Sequence, residues 1–186
     1  MNKEQLYQTL DTVNHSKEKR KQMALLVSNQ PGLHLPLFQI AFEDKTLNSS
    51  KACWVIEFTA KENLSFIYPH LDLFTSNIGL LKLDSSVRPM AKVCEYLSTS
   101  YFLKNDNNTR QELLEHHLEK ITNACFDWLI GNHKVAAQAY SMTCLLLLGR
   151  KFKWIHAELK MVLEQNYATG SAAYKARARM TLAKIK

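Results

Sequence analysis

The sequence predicts an all-α protein, a right-handed α-α superhelix (solenoid) of about ten helices stacked in pairs. One observation is the stretch 134–148, which contains no turn residue and carries apolar side chains on nearly every face, as a buried helix does. Another is the composition, because 5 glycines and 4 prolines in 186 residues are too few for many short strands joined by turns. A further observation is that similar helices recur at intervals of 36, 48 and 37 residues, which is typical of solenoids.

The N-terminal third is predicted to contain a two-helix cap followed by the first helical pair. The cap covers residues 3–28 and ends before Pro31-Gly32, a strong turn signal. In the first pair, Pro36 is tolerated within the first turn of its helix, and Ser49-Ser50 are good N-cap residues for the next. The predicted helices are 3–13, 15–28, 35–42 and 51–62.

The rest of the chain is predicted to form three more pairs. Their helices cover 69–81, 87–102, 111–130, 134–148, 154–167 and 172–185. Asp84-Ser85-Ser86 supplies the N-cap of the second, and Pro89 is predicted to fall within its first turn, where no amide hydrogen bond is lost. The polar stretch 105–109 is the longest break and is predicted to be a mobile loop.

The repeat is visible when the second helices of the pairs are aligned from residues 51, 87, 135 and 172. A small residue then recurs at one position, and leucine occupies another in three of the four helices: Val55, Ala91, Ala139 and Ala176, then Lys61, Leu97, Leu145 and Leu182. Small residues let neighbouring helices approach closely while leucine fills the space between layers. The chain 1–186 is therefore predicted to be one domain in which 33–186 forms four helical-hairpin repeats. The alternative is a non-repeating bundle whose alanine-rich helices align by chance.

The cysteines and the hydropathy pattern limit the classes of protein. The cysteines lie 41, 31 and 19 residues apart inside apolar patterns and form no CxxC pair, which predicts buried reduced thiols with no metal and no cofactor. They are Cys53, Cys94, Cys125 and Cys144. No run of eighteen apolar residues and no signal-peptide core occurs, so we expect a cytoplasmic protein without a membrane span.

The pattern of a first helix, a short loop and V-x-x-x-A-x-x-x-x-x-L resembles HEAT and armadillo repeats over 33–186. Over nearly its whole length the chain also resembles a group of short bacterial proteins often carried under the name adenylosuccinate lyase. The segments that carry this resemblance are KACWVIEF (51–58), YPHLDLFTSNI (68–78), VRPMAKVCEYL (87–97), CFDWLI (125–130), KVAAQAYSMT (134–143) and SAAYKARA (171–178). The resemblance implies a HEAT-like fold.

The group's name implies elimination of fumarate from a succinylated purine. Lyases of that superfamily carry a Gly-Ser-Ser-x-Met-Pro-x-Lys-x-Asn-Pro loop. The most similar segment here, GSAAYK at 170–175, lacks the second Ser, the Met-Pro and the Asn-Pro. No residue can therefore be assigned a catalytic role from the resemblance, and lyase activity is the least favoured of three functional hypotheses.

Positive charge is concentrated at the end of the chain. Residues 150–186 contain nine Lys and Arg against two Glu, so this segment holds the whole net charge of +7. Such a region predicts binding to nucleic acid or to an acidic partner. The candidate residues are Arg150, Lys151, Lys153, Lys175, Arg177 and Arg179. On a helical wheel, Lys175, Arg179 and Lys186 share one flank while Arg177 and Lys184 share the other, so a continuous track needs one flank to join the 150–153 loop.

The favoured hypothesis is a non-catalytic interaction module that binds a protein or peptide along the groove formed by the second helices. The candidate groove residues are Lys92, Lys134, Gln138 and Ser141. The alternative is a nucleic-acid-binding protein that uses the basic C-terminal region. The oligomeric state has no signature in the sequence.

Two further motifs suggest chemistry but are predicted to be structural. Adjacent histidines such as His116-His117 point about 100° apart on a helix, so we predict a solvated helix face and no metal site. Trp54, Trp128 and Trp154 are predicted to pack between repeats. The alternative is that they line a groove, an arrangement similar to that of the HEAT-like DNA alkylation-repair glycosylases.

Overall fold

A computed structural model describes residues 1–104 and 106–185, and within them the protein is all-helical, which confirms the predicted class. Short 3-10 turns connect some of the helices. The described α-helices are α1 (Lys3–Thr9), α2 (Lys17–Ser28), α3 (His34–Glu43), α4 (Leu47–Glu62), α5 (Leu71–Asn77), α6 (Asp84–Phe102), α7 (Asn107–Glu112), α8 (Glu115–Ile130), α9 (Val135–Leu148), α10 (Trp154–Tyr167) and α11 (Ala172–Leu182).

The helices pack in an order that follows the chain. The helices α2, α4, α6, α9 and α11 each contact the next, forming one continuous layer. The helices α1, α3, α5 and α8 form a second layer, in which each helix contacts the next. This layer packs on the first one, with α3 against α4 and α8 against α9. This alternation is the arrangement expected of stacked helical pairs.

The helices α4, α6 and α9 of this layer run in the same direction. At their N-terminal ends, the hydroxyl groups of Ser50 on α4 and Ser85 on α6 lie 2.7 Å apart, and Asp84 on α6 lies 3.0 Å from His133, just before α9. At the C-terminal ends, Arg150 donates to the carbonyl of Phe102 across α9 and α6 (3.4 Å). Parallel neighbours are compatible with a solenoid, whereas the superhelix and its hand remain predictions.

The helix α9 lies at the centre of the packing, as its apolar sequence predicts. It contacts α6, α8, α10 and α11, and each of its residues is buried or half-buried. Met142, Cys144, Leu145 and Leu148 are fully buried there. The small-residue column is buried at Val55 and Ala91, half-buried at Ala139 and exposed at Ala176, so close helix contact at this column is wrong for α11.

Several predicted boundaries are wrong for identifiable reasons. The predicted helix 69–81 is a 3-10 segment, the short α5 and another 3-10 turn. The helix α4 begins four residues early because Thr46, not Ser49-Ser50, accepts the capping bond, from the amide of Ser49 (3.2 Å). Most of the predicted mobile loop 105–109 belongs to α7, which Asp106 caps; Asn105 itself lies outside the described residues, as does Lys186 of the predicted basic flank.

Pro89 lies deeper in its helix than predicted. Since α6 begins at Asp84, Pro89 is its sixth residue and would normally donate to the carbonyl of Ser85. Proline has no amide proton, and so this carbonyl loses its helical partner. The indole Nε1 of Trp54 on α4 donates to it instead, at 2.8 Å. Trp54 therefore joins two helices and satisfies the acceptor that Pro89 leaves open.

Candidate binding surfaces

One surface of the first layer combines aromatic rings with charged side chains. It is formed by α2, α4, α6 and α9, and we call it the aromatic surface. Its residues are Arg20, Trp54, Glu57, Phe58, Arg88, Lys92, Glu95, Tyr96 and Tyr140.

Arg20 covers the α4 end of this surface. Its guanidinium carbon lies 4.9 Å from the ring centre of Trp54 and 5.6 Å from that of Phe58. Hydrogen bonds to the carbonyls of Asn14 (3.2 Å) and His15 (2.6 Å) hold it in place. Burial, and then the nearby charge of Arg88, lower the pKa of Arg20. The pKa of an arginine is high enough for it to remain a cation and keep this cation–π contact.

Glu57 and Arg88 connect α4 to α6. The two guanidinium nitrogens of Arg88 lie 2.7 and 3.4 Å from the carboxylate oxygens of Glu57, a bidentate ion pair. Glu57 is only 8% exposed, and its burial raises its pKa although Arg88, Arg20 and Lys92 all act to lower it. The pairing with Arg88 thus offsets part of the cost of burying this carboxylate.

Lys92 links α6 to α9. Its ammonium group lies 4.5 Å from the ring centre of Tyr140 and 5.2 Å from that of Tyr96, and it also pairs with Glu95. Burial, with Glu57 next in importance, raises the pKa of Tyr96 to about 12. Tyr96 therefore keeps its proton at neutral pH. The ion pairs engage both carboxylates together with Arg88 and Lys92. What the surface offers a partner is therefore mainly the half-buried rings of Phe58, Tyr96 and Tyr140.

The aromatic surface opens into a small pocket between the C-terminal half of α6 and the end of α4. The pocket has a volume of about 310 Å³ and is lined by Tyr96, Thr99, Lys61, Leu64 and others. A cavity of this size can hold one or two side chains of a partner.

Of the predicted groove residues, only Lys92 lies on the aromatic surface. Lys134 and Gln138 line a separate pocket of about 720 Å³ between the starts of α9 and α11, together with Gly170 and Tyr174. Ser141 is fully buried, so its prediction as a groove residue is wrong. The helical wheel predicted a polar strip there because it cannot show that α6 and α8 enclose both sides of α9.

The basic C-terminal residues separate into distinct places. Arg150 and Lys153 lie in a cleft of about 750 Å³, which we call the basic cleft; its lining is Leu146, Arg150, Lys153, His156, Ala183 and Lys184. Lys151 instead forms an ion pair with Glu115 of α8 at 2.7 Å. Lys175, Arg177 and Arg179 are not among the lining residues. The signal for Lys184 was present in the sequence, since the helical wheel placed it opposite Lys175 and Arg179.

The two adjacent histidines meet a carboxylate that the sequence could not place. Asp72 of α5 lies 3.1 Å from His116 Nε2 and 2.9 Å from His117 Nε2. Hydrogen bonds from both histidines lower the pKa of Asp72. His117 is only 4% exposed, so the predicted solvated face is wrong for this residue.

These three residues are close enough to hold a metal ion, but His117 fits that role poorly. The amide of Leu114 donates to His117 Nδ1 at 3.1 Å, which leaves the proton of the neutral ring on Nε2. His117 Nε2 then donates to Asp72, and neither nitrogen has a free lone pair. The cluster therefore connects α5 to the start of α8 as a hydrogen-bonded clamp.

The remaining motifs are structural or partly so. All four cysteines are free and buried, and desolvation raises the pKa of Cys94, Cys125 and Cys144, so these groups are thiols. Trp128 is buried as predicted, whereas Trp154 is 54% exposed and stacks on Phe126. This stack joins helices of two successive predicted pairs, so packing between repeats is confirmed in part for Trp154, although more than half of its surface is exposed.

Comparison of the chain with protein-family models, with curated proteins and with solved structures finds no match. Within the described residues, none of the helices has both the length and the apolar character needed to cross a membrane.

Proposed function

We propose that this protein is a non-catalytic interaction module that binds a protein or peptide partner on the aromatic surface. The observation that carries the proposal is the contact of Lys92 with Tyr96 and Tyr140 beside the ion pair of Glu57 and Arg88. Side chains from successive helices combine there into one site that no single helix could form.

The composition of the surface suits a peptide. Tyrosine, tryptophan and arginine are the residues that contribute most to binding energy at protein interfaces, because they provide large contact areas together with hydrogen bonds. Here the rings are already held by cation–π contacts, so little side-chain freedom is lost when a partner binds. Tyr96 also lines the 310 Å³ pocket, which is suited to an anchoring side chain.

A peptide library displayed on phage tests the proposal directly. Peptides selected on the native protein are expected to lose at least about tenfold in affinity, or 1.4 kcal/mol, for the double variant Lys92→Ala with Tyr140→Ala. The matched control is Trp154→Ala with Lys160→Ala, which removes one ring and one charge from exposed positions on α10.

Peptides that bind both double variants equally would place the binding site elsewhere. Failure to enrich any peptide would contradict the proposal. Thermal unfolding of both variants shows whether a loss of affinity reflects a loss of fold.

A further inference from the structure

We propose that the basic cleft binds the phosphate backbone of a nucleic acid, at a site separate from the aromatic surface. The cleft lies where the end of α9, the start of α10 and the end of α11 meet. Its charged lining consists of Arg150, Lys153 and Lys184, and none of the described residues that line it is acidic.

Within the part of the chain that the structure describes, no carboxylate forms an ion pair with the charges in the cleft. Among the ion pairs of the described residues, none involves Arg150, Lys153 or Lys184. This contrasts with Lys151, one residue from Arg150, which pairs with Glu115. Arg150, Lys151 and Lys153 form one basic run in the sequence, but the fold pairs Lys151 with Glu115 and leaves the other two in the cleft.

The helix ends that border the cleft leave its potential positive. The C-terminal ends of α9 and α11 contribute about half a negative charge each, and the N-terminal end of α10 contributes about half a positive charge. Against these fractions stand the full positive charges of Arg150, Lys153 and Lys184, which decide the sign.

His156 gives the cleft a fixed polar wall. Its Nε2 lies 2.9 Å from the carbonyl of Leu146, so this nitrogen carries a proton and donates. A methyl group on Gly149 would overlap the imidazole ring, which shows how closely the ring packs on the end of α9. Arg150 is also oriented, because it donates to the carbonyl of Phe102.

The cations extend beyond the cleft, which favours a polymeric ligand over a single small anion. Arg177 lies on α11, and Lys184 lies in the turn that follows Leu182, the last residue of this helix, so the cations continue from the cleft along α11. A nucleic-acid strand carries a phosphate at every nucleotide and can contact both residues together with the cleft. The opposite flank, with Lys175 and Arg179, points away from this path on the helical wheel.

Fluorescence anisotropy with a short fluorescein-labelled DNA duplex tests the proposal. The double variant Lys153→Glu with Lys184→Glu is expected to bind at least about tenfold more weakly than the native protein at roughly 100 mM salt. The slope of log K against log salt should fall by about 1.8, which corresponds to two lost phosphate contacts. The milder pair Lys153→Gln with Lys184→Gln should give losses of the same direction, and melting curves verify that it folds.

The matched control is Lys19→Glu with Lys21→Glu, two exposed positions on α2 that change the net charge equally. A loss of less than about threefold in this control, against a loss of at least about tenfold in the cleft variant, supports the cleft as the binding site. Equal losses in both double variants would mean diffuse attraction and overturn the proposal, as would no binding at about 100 mM salt. Inorganic pyrophosphate that binds the cleft as tightly as the duplex would identify a small-anion site and overturn the assignment to nucleic acid.

Discussion

The hydrogen bond from Trp54 to Ser85 is expected to stabilise the protein because Pro89 leaves the Ser85 carbonyl without a helical donor. The informative change is Trp54→Phe, which keeps an aromatic ring but removes the indole N–H. The carbonyl then has neither the amide of residue 89 nor the indole as a partner. Ser85 is an exposed residue and the bond is only partly buried, so its loss is expected to cost the usual net value of a hydrogen bond, about 0.5 to 1.5 kcal/mol. The smaller ring of phenylalanine adds to this cost.

The same reasoning predicts an interaction between positions 54 and 89. Pro89→Ala restores an amide that can donate to the Ser85 carbonyl within α6. In this background, Trp54→Phe should cost about 1 kcal/mol less than in the native protein, which is the usual net value of one hydrogen bond. Such a coupling lies within the range found for residues that share a partner.

Urea unfolding followed by far-ultraviolet circular dichroism measures all four free energies of this cycle. A signal from the helices is needed because Trp54→Phe itself changes the fluorescence. With a typical slope of about 1 to 3 kcal/mol per molar, a loss of 2 kcal/mol moves the midpoint by roughly 1 M. If Trp54→Phe costs the same in both backgrounds to within about 0.3 kcal/mol, the carbonyl freed by Pro89 does not matter and the reasoning is refuted.

Two further predictions concern single side chains. Gly149→Ala should destabilise the protein by about 1 to 3 kcal/mol in urea unfolding, because its methyl group would overlap the ring of His156, and an unchanged midpoint would contradict that packing. Hydrogen bonds from His116 and His117 lower the pKa of Asp72 below its usual 3.8, so their stabilisation is present above about pH 4 and is lost as the pH falls through the lowered pKa. Asp72→Asn should therefore flatten the acid side of a plot of melting temperature against pH, and an acid side as steep as that of the native protein would argue against the clamp.

The sequence by itself determined the class of fold and the element at its centre. A helix that is apolar on nearly every face must be enclosed, and α9 is indeed enclosed by four other helices. The start of α11 was predicted at its observed residue, where Ser171 caps the amide of Tyr174, whereas α2 begins two residues after its predicted start, at the cap Ser16. These features follow from periodicity and short-range hydrogen bonding, which are properties of consecutive residues.

Only the tertiary structure decided which side chains meet. Asp72 lies 44 residues before His116, and Glu57 lies 31 residues before Arg88, so no local pattern pairs them. Periodicity shows which face of a helix is apolar, but not which neighbour covers the other faces, and for that reason Ser141 was misplaced. The position of a cation depends in the same way on the helix ends around it, which is why Lys151 is paired with Glu115 while its neighbours face the basic cleft.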